Sequence, residues 1–160
     1  CNGTEISQFT YFQQMGGYEC NPVSVEFTYG LERIATFIQK VDSLYDIIWN
    51  KHGVTYGDLY LNNEKEFSKF NFEYGWVGDQ KEDYSNFLFE SENAYKKNIS
   101  QLLDQKLLYP AYEECLRYTH FFNQRDAGGE ISVSKRQSDI LEIRSFFKKC
   151  CQLYLESLKK

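Results

Sequence analysis

The order of hydrophobic and polar positions divides the sequence into a short β part and a longer helical part. Residues 4–12 are dense in β-branched and aromatic side chains, which predicts a strand. Gly16 and Gly17 interrupt this pattern, and residues 23–29 repeat it with Pro22 at their start. Two strands so close in sequence most simply pair antiparallel. Both strand faces mix polar and apolar residues, which suits the floor of a solvent-filled cleft.

Beyond residue 30 the hydrophobic positions recur every three or four residues, as on one face of an α-helix. The pattern is interrupted at residues 75–78. Pro110 and a Ser134/Gln137 capping box mark the starts of the last two helices. The sequence therefore predicts an α+β fold with four to six helices. Their positions are one helix after Gly30, a short helical or turn segment from Leu44, and longer helices over about 56–72, 82–108, 110–122 and 134–158.

Composition narrows the class of protein. The 160 residues include 18% aromatic residues, enough for a packed core. They lack an apolar run long enough to cross a membrane. The net charge of −5 argues against a stand-alone nucleic-acid binder, because phosphate affinity rests on clustered Lys and Arg. Residues 133–160 do carry excess Lys and Arg, which we interpret as a solvated face, with an RNA contact as the alternative.

The cysteines and histidines do not indicate a disulfide framework or a metal site. There are five cysteines and two histidines, and the sequence contains no Cys-x-x-Cys. Cys150 and Cys151 are adjacent, and no cysteine has a histidine neighbour that would suggest thiol catalysis. We therefore expect a reducing, cytosolic compartment.

The segment 26–34 carries the clearest chemical signal. A predicted strand runs into Gly30, and Glu32 and Arg33 follow in the first turn of the next helix. A guanidinium fixed there, at the positive end of a helix, can bind a phosphate or an adenine face. A glycine beside it allows a ligand to approach the backbone closely. Because Glu and Arg also open helices for purely structural reasons, the segment alone leaves both interpretations open.

Residues 29–34 resemble motif 3 of the class II aminoacyl-tRNA synthetases. The likeness extends over almost the whole chain to the α subunit of the bacterial heterotetrameric glycyl-tRNA synthetase, densest over residues 2–58. The resemblance implies part of the class II antiparallel sheet with motif 3 in residues 1–42, and a helical C-terminal domain in residues 43–160. Further matching segments are 2–14, 16–17, 19–20, 41–49, 55–58, 71–73, 110–112 and 131–133.

The resemblance implies an ATP-dependent ligase that activates glycine to glycyl-adenylate and transfers it to tRNA(Gly) in the cytoplasm. The implied partners are glycine, a β subunit that makes most of the tRNA contacts, and a second α subunit, with no membrane. Motifs 1 and 2 of the class are not found in this sequence. The chain therefore resembles the C-terminal portion of the subunit, and we expect it to be inactive alone.

The resemblance also implies roles for individual residues in ATP binding. Arg33 would lie against the γ-phosphate or adenine side of ATP, and Glu32 would orient that arginine or the ribose region. Gly30 lines the same site. Glu5 falls where the class places a carboxylate that holds Mg²⁺ between phosphates, with Gln8 as its companion ligand. Arg33 and Glu5 are thus the expected catalytic residues, and ATP and Mg²⁺ the expected cofactors.

A second group is implied to bind glycine. Gln8, Thr10 and Phe12 share one face of the first strand, and Tyr29 ends the second. Gln8 and Thr10 would contact the ammonium group of glycine, while Phe12 and Tyr29 would exclude larger amino acids.

The alternative is a non-catalytic, synthetase-like interaction module. In this hypothesis the helical tail docks a partner subunit. Glu5 and Arg33 then remain only as structural ion-pair residues.

Overall fold

The computed structural model describes residues 1–75 and 81–159, and within them the predicted α+β fold is confirmed. The interruption predicted at 75–78 lies outside the described residues apart from Gly75. A two-stranded sheet is followed by a series of helices. The elements are β1 (Ser7–Met15), β2 (Tyr18–Tyr29), α1 (Leu31–Gln39), a 3-10 helix (Leu44–Asp46), α2 (Tyr56–Phe72), α3 (Lys81–Asp104), α4 (Leu108–Ala127) and α5 (Val133–Ser157).

The two strands form an antiparallel hairpin around Gly16 and Gly17. Both glycines have positive φ (59° and 81°), which a tight two-residue hairpin turn favours. β1 begins three residues later than predicted, and β2 begins at Tyr18, five residues before the predicted start. Pro22 therefore lies inside β2 and not at its beginning. A hairpin strand has one open edge, where a residue without an N–H costs no ladder hydrogen bond.

Contacts divide the chain into two compact units. Unit 1 comprises residues 1–14 and 19–69, and unit 2 comprises residues 15–18 and 70–160. The division into a catalytic-core part (1–42) and a helical domain (43–160) rests on the family resemblance and stays a prediction.

The core of unit 2 lies among α3, α4 and α5. Each helix contributes one apolar stripe at helical spacing, as the sequence pattern predicted. None of the helices in residues 1–75 and 81–159 has both the length and the apolar character required to cross a membrane. The buried core residues are Ile99, Ala111, Cys115, Tyr118, Phe122, Ile143, Phe146 and Cys150.

Two helix boundaries differ from the predicted ones. α4 starts at Leu108, so Pro110 is its third residue, where the backbone N–H has no helical partner in any case. The capping box predicted at Ser134 and Gln137 is wrong. Ser132 is the N-cap of α5, and its Oγ accepts a hydrogen bond from the backbone N–H of Lys135 at 3.2 Å.

The end of α4 also differs, since the helix continues past the predicted end at about residue 122 to Ala127. The added turn is polar in sequence, yet its Gln124 and Arg125 are buried in the structure. Arg125 is 9% exposed, and its Nη1 donates to Glu92 Oε2 on α3 at 2.7 Å. A buried ion pair between two helices therefore holds a segment whose composition suggested a loop.

Further charges join α5 to its neighbours. Asp139 of α5 is fully buried and pairs with Lys96 of α3 at 3.7 Å and with Lys135 on its own helix. Lys96 also pairs with Glu142 at 2.7 Å. Arg136 pairs with Asp126 at 2.9 Å. Two cations of the basic tail, Lys135 and Arg136, are thus engaged within the unit, which favours the structural interpretation over an RNA contact.

We predict that Glu92→Ala lowers the free energy of unfolding of the helical unit by about 3–5 kcal/mol, because it leaves the Arg125 charge buried without its partner. Burial raises the pKa of Glu92 despite the attraction of Arg125, so desolvation outweighs the pair. The double variant Glu92→Leu/Arg125→Met should therefore be much less destabilised than Glu92→Ala. Urea unfolding followed by circular dichroism measures both effects.

The matched control is Lys81→Ala, which removes the more exposed pair with Glu130 (3.2 Å) and should cost less than about 1 kcal/mol. A loss for Glu92→Ala no larger than that of Lys81→Ala would contradict a structural role for the buried pair.

Candidate active site

The site predicted from the sequence is built around Gly30, the residue between β2 and α1. Its backbone N–H donates to the carbonyl oxygen of Ile6 at 2.9 Å, so the end of β2 is fixed beside the start of β1. Its own carbonyl accepts from the N–H of Ile34 at 2.9 Å, which is the first hydrogen bond of the α1 helix. We call this arrangement the Gly30 junction. It sets the direction in which α1 leaves the sheet.

Arg33 folds back onto the Gly30 junction. A Cβ at position 30 would lie 2.9 Å from Cζ of Arg33, closer than non-bonded atoms approach. The φ angle of Gly30 is −78°, which any residue adopts, so the need for glycine is spatial. The absent side chain leaves the space that the Arg33 guanidinium occupies at the positive end of α1.

The carboxylates predicted to accompany Arg33 are exposed. Glu32 lies in the first turn of α1, and Glu5 lies one residue before Ile6. Every ion pair found in residues 1–75 and 81–159 joins side chains between positions 81 and 142. The described residues thus contain no ion pair of Glu5, Glu32 or Arg33. This speaks against the alternative hypothesis, in which Glu5 and Arg33 are structural ion-pair residues.

The predicted glycine-binding residues divide between the two faces of the hairpin. Alternation along β1 puts Gln8, Thr10 and Phe12 on one face, and Thr10 and Phe12 are half-buried there. Phe27 lies on the other face, where its ring contacts Phe9 at 4.6 Å between centroids. Tyr29 is two residues further along β2 and shares the face of Phe27. The structure therefore separates Tyr29 from the other three.

The two predicted Mg²⁺ ligands lie in different kinds of backbone. Gln8 belongs to β1, whereas Glu5 lies two residues before the strand begins, so strand alternation does not relate the directions of their side chains. A lone carboxylate remains a suitable partner for Mg²⁺, which keeps waters and substrate oxygens as its other ligands. Across residues 1–75 and 81–159, no three or more His, Cys, Asp or Glu side chains group as a metal site would require. The pairing of Glu5 with Gln8 at one Mg²⁺ site stays a prediction.

A contact that sequence analysis missed fixes the far end of α1. The side chain of Gln39 makes two hydrogen bonds to the backbone of Ile48. Its Nε2 donates to the carbonyl at 3.0 Å, and its Oε1 accepts from the N–H at 2.7 Å. Lys40 then ends the helix in the left-handed region, with φ of 55°. No local signal predicts this clamp, because it joins residues nine positions apart.

A second feature that sequence analysis missed is the N-terminus of α2, although a local sequence pattern indicates it. Thr55 and Asp58 form a reciprocal capping box. The N–H of Thr55 donates to Asp58 Oδ2 at 2.8 Å, and the N–H of Asp58 donates to Thr55 Oγ1 at 3.1 Å. These hydrogen bonds lower the pKa of Asp58. The sequence Thr-x-x-Asp before an apolar run is the pattern that would have revealed the start of this helix.

A group of aromatic rings lies next in sequence to the Gln39–Ile48 contact and to the Thr55–Asp58 capping box. Trp49, Tyr56 and Tyr60 contact one another with centroids 4.6–6.0 Å apart. Tyr45 adds a fourth ring 6.3 Å from Tyr56, and its hydroxyl donates to Glu64 at 2.5 Å. The hydrogen bond to Glu64 raises the pKa of Tyr45. Unit 1 therefore carries an aromatic surface in addition to the Gly30 junction.

Comparison with known families agrees with the motif at the Gly30 junction. The family model described as the glycyl-tRNA synthetase alpha subunit matches residues 1–159. Membership implies an aminoacyl-tRNA ligase of protein biosynthesis, which works as one subunit of a complex with a beta subunit and tRNA. Because the match covers the chain apart from its last residue, the protein belongs to the glycyl-tRNA synthetase alpha subunit family.

Proposed function

We propose that this chain binds ATP at the Gly30 junction and, with its beta subunit, activates glycine for transfer to tRNA(Gly). The observation that supports this most is the position of Arg33. Its guanidinium lies over a glycine at a helix start, without an ion-pair partner among the described residues. An arginine held in this way is available to an anionic ligand.

In the proposed reaction the carboxylate of glycine attacks the α-phosphate of ATP and displaces pyrophosphate. Negative charge builds on the phosphate oxygens in the transition state, and the fixed charge of Arg33 stabilises it. Glu32, the neighbouring residue in the first turn of α1, orients the arginine or the ribose. The bare backbone of Gly30 leaves room for the nucleotide beside them.

We assign Glu5 as the protein ligand of Mg²⁺, with Gln8 as its companion. When bound, the ion neutralises phosphate charge and holds the phosphates in one orientation. Glu5 precedes Ile6, whose carbonyl accepts the hydrogen bond of Gly30. Glu5 is thus next in sequence to one residue of the Gly30 junction, and Arg33 lies in the helix that begins at the other.

We assign glycine recognition to the β1 face that carries Gln8, Thr10 and Phe12. The amide oxygen of Gln8 and the hydroxyl of Thr10 can accept hydrogen bonds from the ammonium group of glycine. The ring of Phe12 fills the space that a larger side chain would need. Tyr29 lies on the opposite face by strand alternation, so we remove it from the pocket and retain it only as part of the hairpin surface.

We further propose that the hairpin belongs to a class II antiparallel sheet. Tyr11, Phe27 and Tyr29 are about 60% exposed, and a two-stranded sheet is marginal without further cover. Partner strands and the second phosphate-binding arginine of the class would come from residues outside this sequence. This chain alone would then not form the adenylate. The complex, including a second alpha subunit, would act in the cytoplasm, where ATP and tRNA occur together.

We predict that Arg33→Ala in the alpha–beta complex slows glycine-dependent ATP–pyrophosphate exchange by about 100-fold or more, the usual cost of removing one transition-state donor. Arg33→Lys should recover part of the rate, because it restores the charge without the planar fork. The control is Arg117→Ala, which removes an exposed arginine from the helical unit and should leave exchange within about twofold. Equal exchange rates for Arg33→Ala and Arg117→Ala would refute the assigned role of Arg33.

We also predict that Gly30→Ala displaces the Arg33 guanidinium while the chain still folds. The φ angle of Gly30 suits alanine, so the free energy of unfolding should change by less than about 1 kcal/mol. Exchange should nevertheless slow by about tenfold or more, because small displacements of a catalytic group are costly. Exchange kinetics and urea unfolding of the same sample measure both effects. Unchanged exchange would mean that Arg33 does not act from its position on Gly30.

A further inference from the structure

The three rings of Trp49, Tyr56 and Tyr60 form a surface that the adenylation reaction does not use, and we call it the aromatic platform. Trp49 is 52% exposed and Tyr60 is 37% exposed. The closest pair of rings, Tyr56 and Tyr60, has centroids 4.6 Å apart, and Trp49 meets both edge-to-face at 6.0 Å. The rings pack against one another, so a ligand would lie on the outer surface of the platform and not between the rings.

A short closed loop fixes Trp49 in the platform. Ile48 and Thr55 form an antiparallel bridge, and the N–H of Trp49 donates to the carbonyl of Val54 at 2.7 Å. Within the loop, Asn50 Oδ1 accepts from the N–H of His52 at 2.8 Å and from that of Val54 at 3.4 Å. These bonds order the loop without a ligand, so Trp49 requires little reorganisation to bind one.

The platform lies beside the helix of the Gly30 junction. Gln39, the last residue of α1, holds the backbone of Ile48, which precedes Trp49. At the other end of α1, the Glu32 carboxylate is close enough to help raise the pKa of Tyr56, after the larger effect of burial. The C-terminal end of α1 therefore contacts the loop of the platform through Gln39, and Glu32 in its first turn lies within electrostatic range of Tyr56. A ligand on the platform would be a neighbour of the proposed ATP site.

The chemistry of the surface favours a nucleobase over an organic cation. Every base has a flat face that stacks on exposed aromatic rings, and such stacking tolerates any base sequence. A cation would need rings arranged around it, whereas these rings fill the space between themselves. Glu64 is also engaged, since it accepts the hydroxyl of Tyr45. Lys51 and His52 lie exposed in the loop and can meet the phosphates of a single strand.

We propose that the aromatic platform stacks a base of the single-stranded 3′ end of tRNA and so positions that end beside the glycyl-adenylate. The inference rests on the proposed function, because it assumes that the adenylate forms at the Gly30 junction. Trp49 is a positioning residue here and takes no part in a chemical step. Lys51 contributes positive charge to the same strand, and His52 lies exposed beside it in the loop.

The test separates the two half-reactions in the alpha–beta complex. We expect Trp49→Ala to reduce kcat/KM for glycylation of tRNA by about tenfold or more, the usual loss for one stacked base. Glycine-dependent ATP–pyrophosphate exchange should change by less than about threefold. Trp49→Phe keeps a flat ring and should recover most of the glycylation. Tyr109→Ala, which removes a tyrosine that is 74% exposed in the helical unit, is the matched control and should change neither reaction.

A binding measurement tests the contact between Trp49 and the tRNA 3′ end without depending on catalysis. The sequence has two tryptophans, so Trp76→Phe leaves Trp49 as its only indole. In the complex, the signal of Trp49 is the part of the fluorescence that a further Trp49→Phe substitution removes. In the complex carrying Trp76→Phe, intact tRNA should quench this signal. The same tRNA trimmed of its last four nucleotides should not.

Three results would overturn the proposal. Equal losses in exchange and glycylation for Trp49→Ala would assign the platform to adenylate formation or to folding. A raised KM for glycine would instead indicate binding of its ammonium cation. Equal quenching by intact and trimmed tRNA would mean that the 3′ end lies elsewhere. Failure of the proposed function gives a different result. In that case Arg33→Ala leaves ATP–pyrophosphate exchange unchanged, whereas intact tRNA can still quench the fluorescence of Trp49.

Discussion

The hydrogen bond from the backbone of Gly30 to the carbonyl of Ile6 is the constraint on which the candidate site depends. It joins the end of the second strand to the start of the first and so brings the segment containing Glu5 to the helix that carries Glu32 and Arg33. The same residue starts α1 and leaves the space that the Arg33 guanidinium fills. A single glycine thus sets the helix direction and leaves room for the charge beside it.

Charges serve different purposes in the two units. In the helical unit Glu92, Arg125 and Asp139 are buried and paired, and they hold α3, α4 and α5 together. Beside the Gly30 junction Glu32 and Arg33 are exposed, and neither takes part in the ion pairs of the described residues. An ion-pair partner neutralises the field of a charge, so little of it is left to attract a ligand. An unpaired charge at a helix start can still attract a ligand of opposite charge. This contrast supports assigning catalysis to the first unit and structure to the second.

The sequence alone predicted that a strand, a glycine and a helix follow one another around Gly30, because residues close in sequence determine each of these elements. They failed where distant residues decide the outcome. The polar end of α4 resembled a loop because its partner Glu92 is 33 positions away. Tyr29 was grouped with Gln8 before the pairing of Phe9 with Phe27 fixed which face it shares. The aromatic platform likewise depends on the clamp between Gln39 and Ile48, which no local pattern reveals.

The central claim is that the Gly30 junction presents Arg33 to ATP, and calorimetric titration of ATP·Mg²⁺ into the alpha–beta complex tests it most directly. The account predicts that the wild-type complex binds ATP and that Arg33→Ala weakens this binding by about tenfold or more, as loss of a charge-assisted contact requires. Equal ATP affinity in a folded Arg33→Ala complex would contradict it.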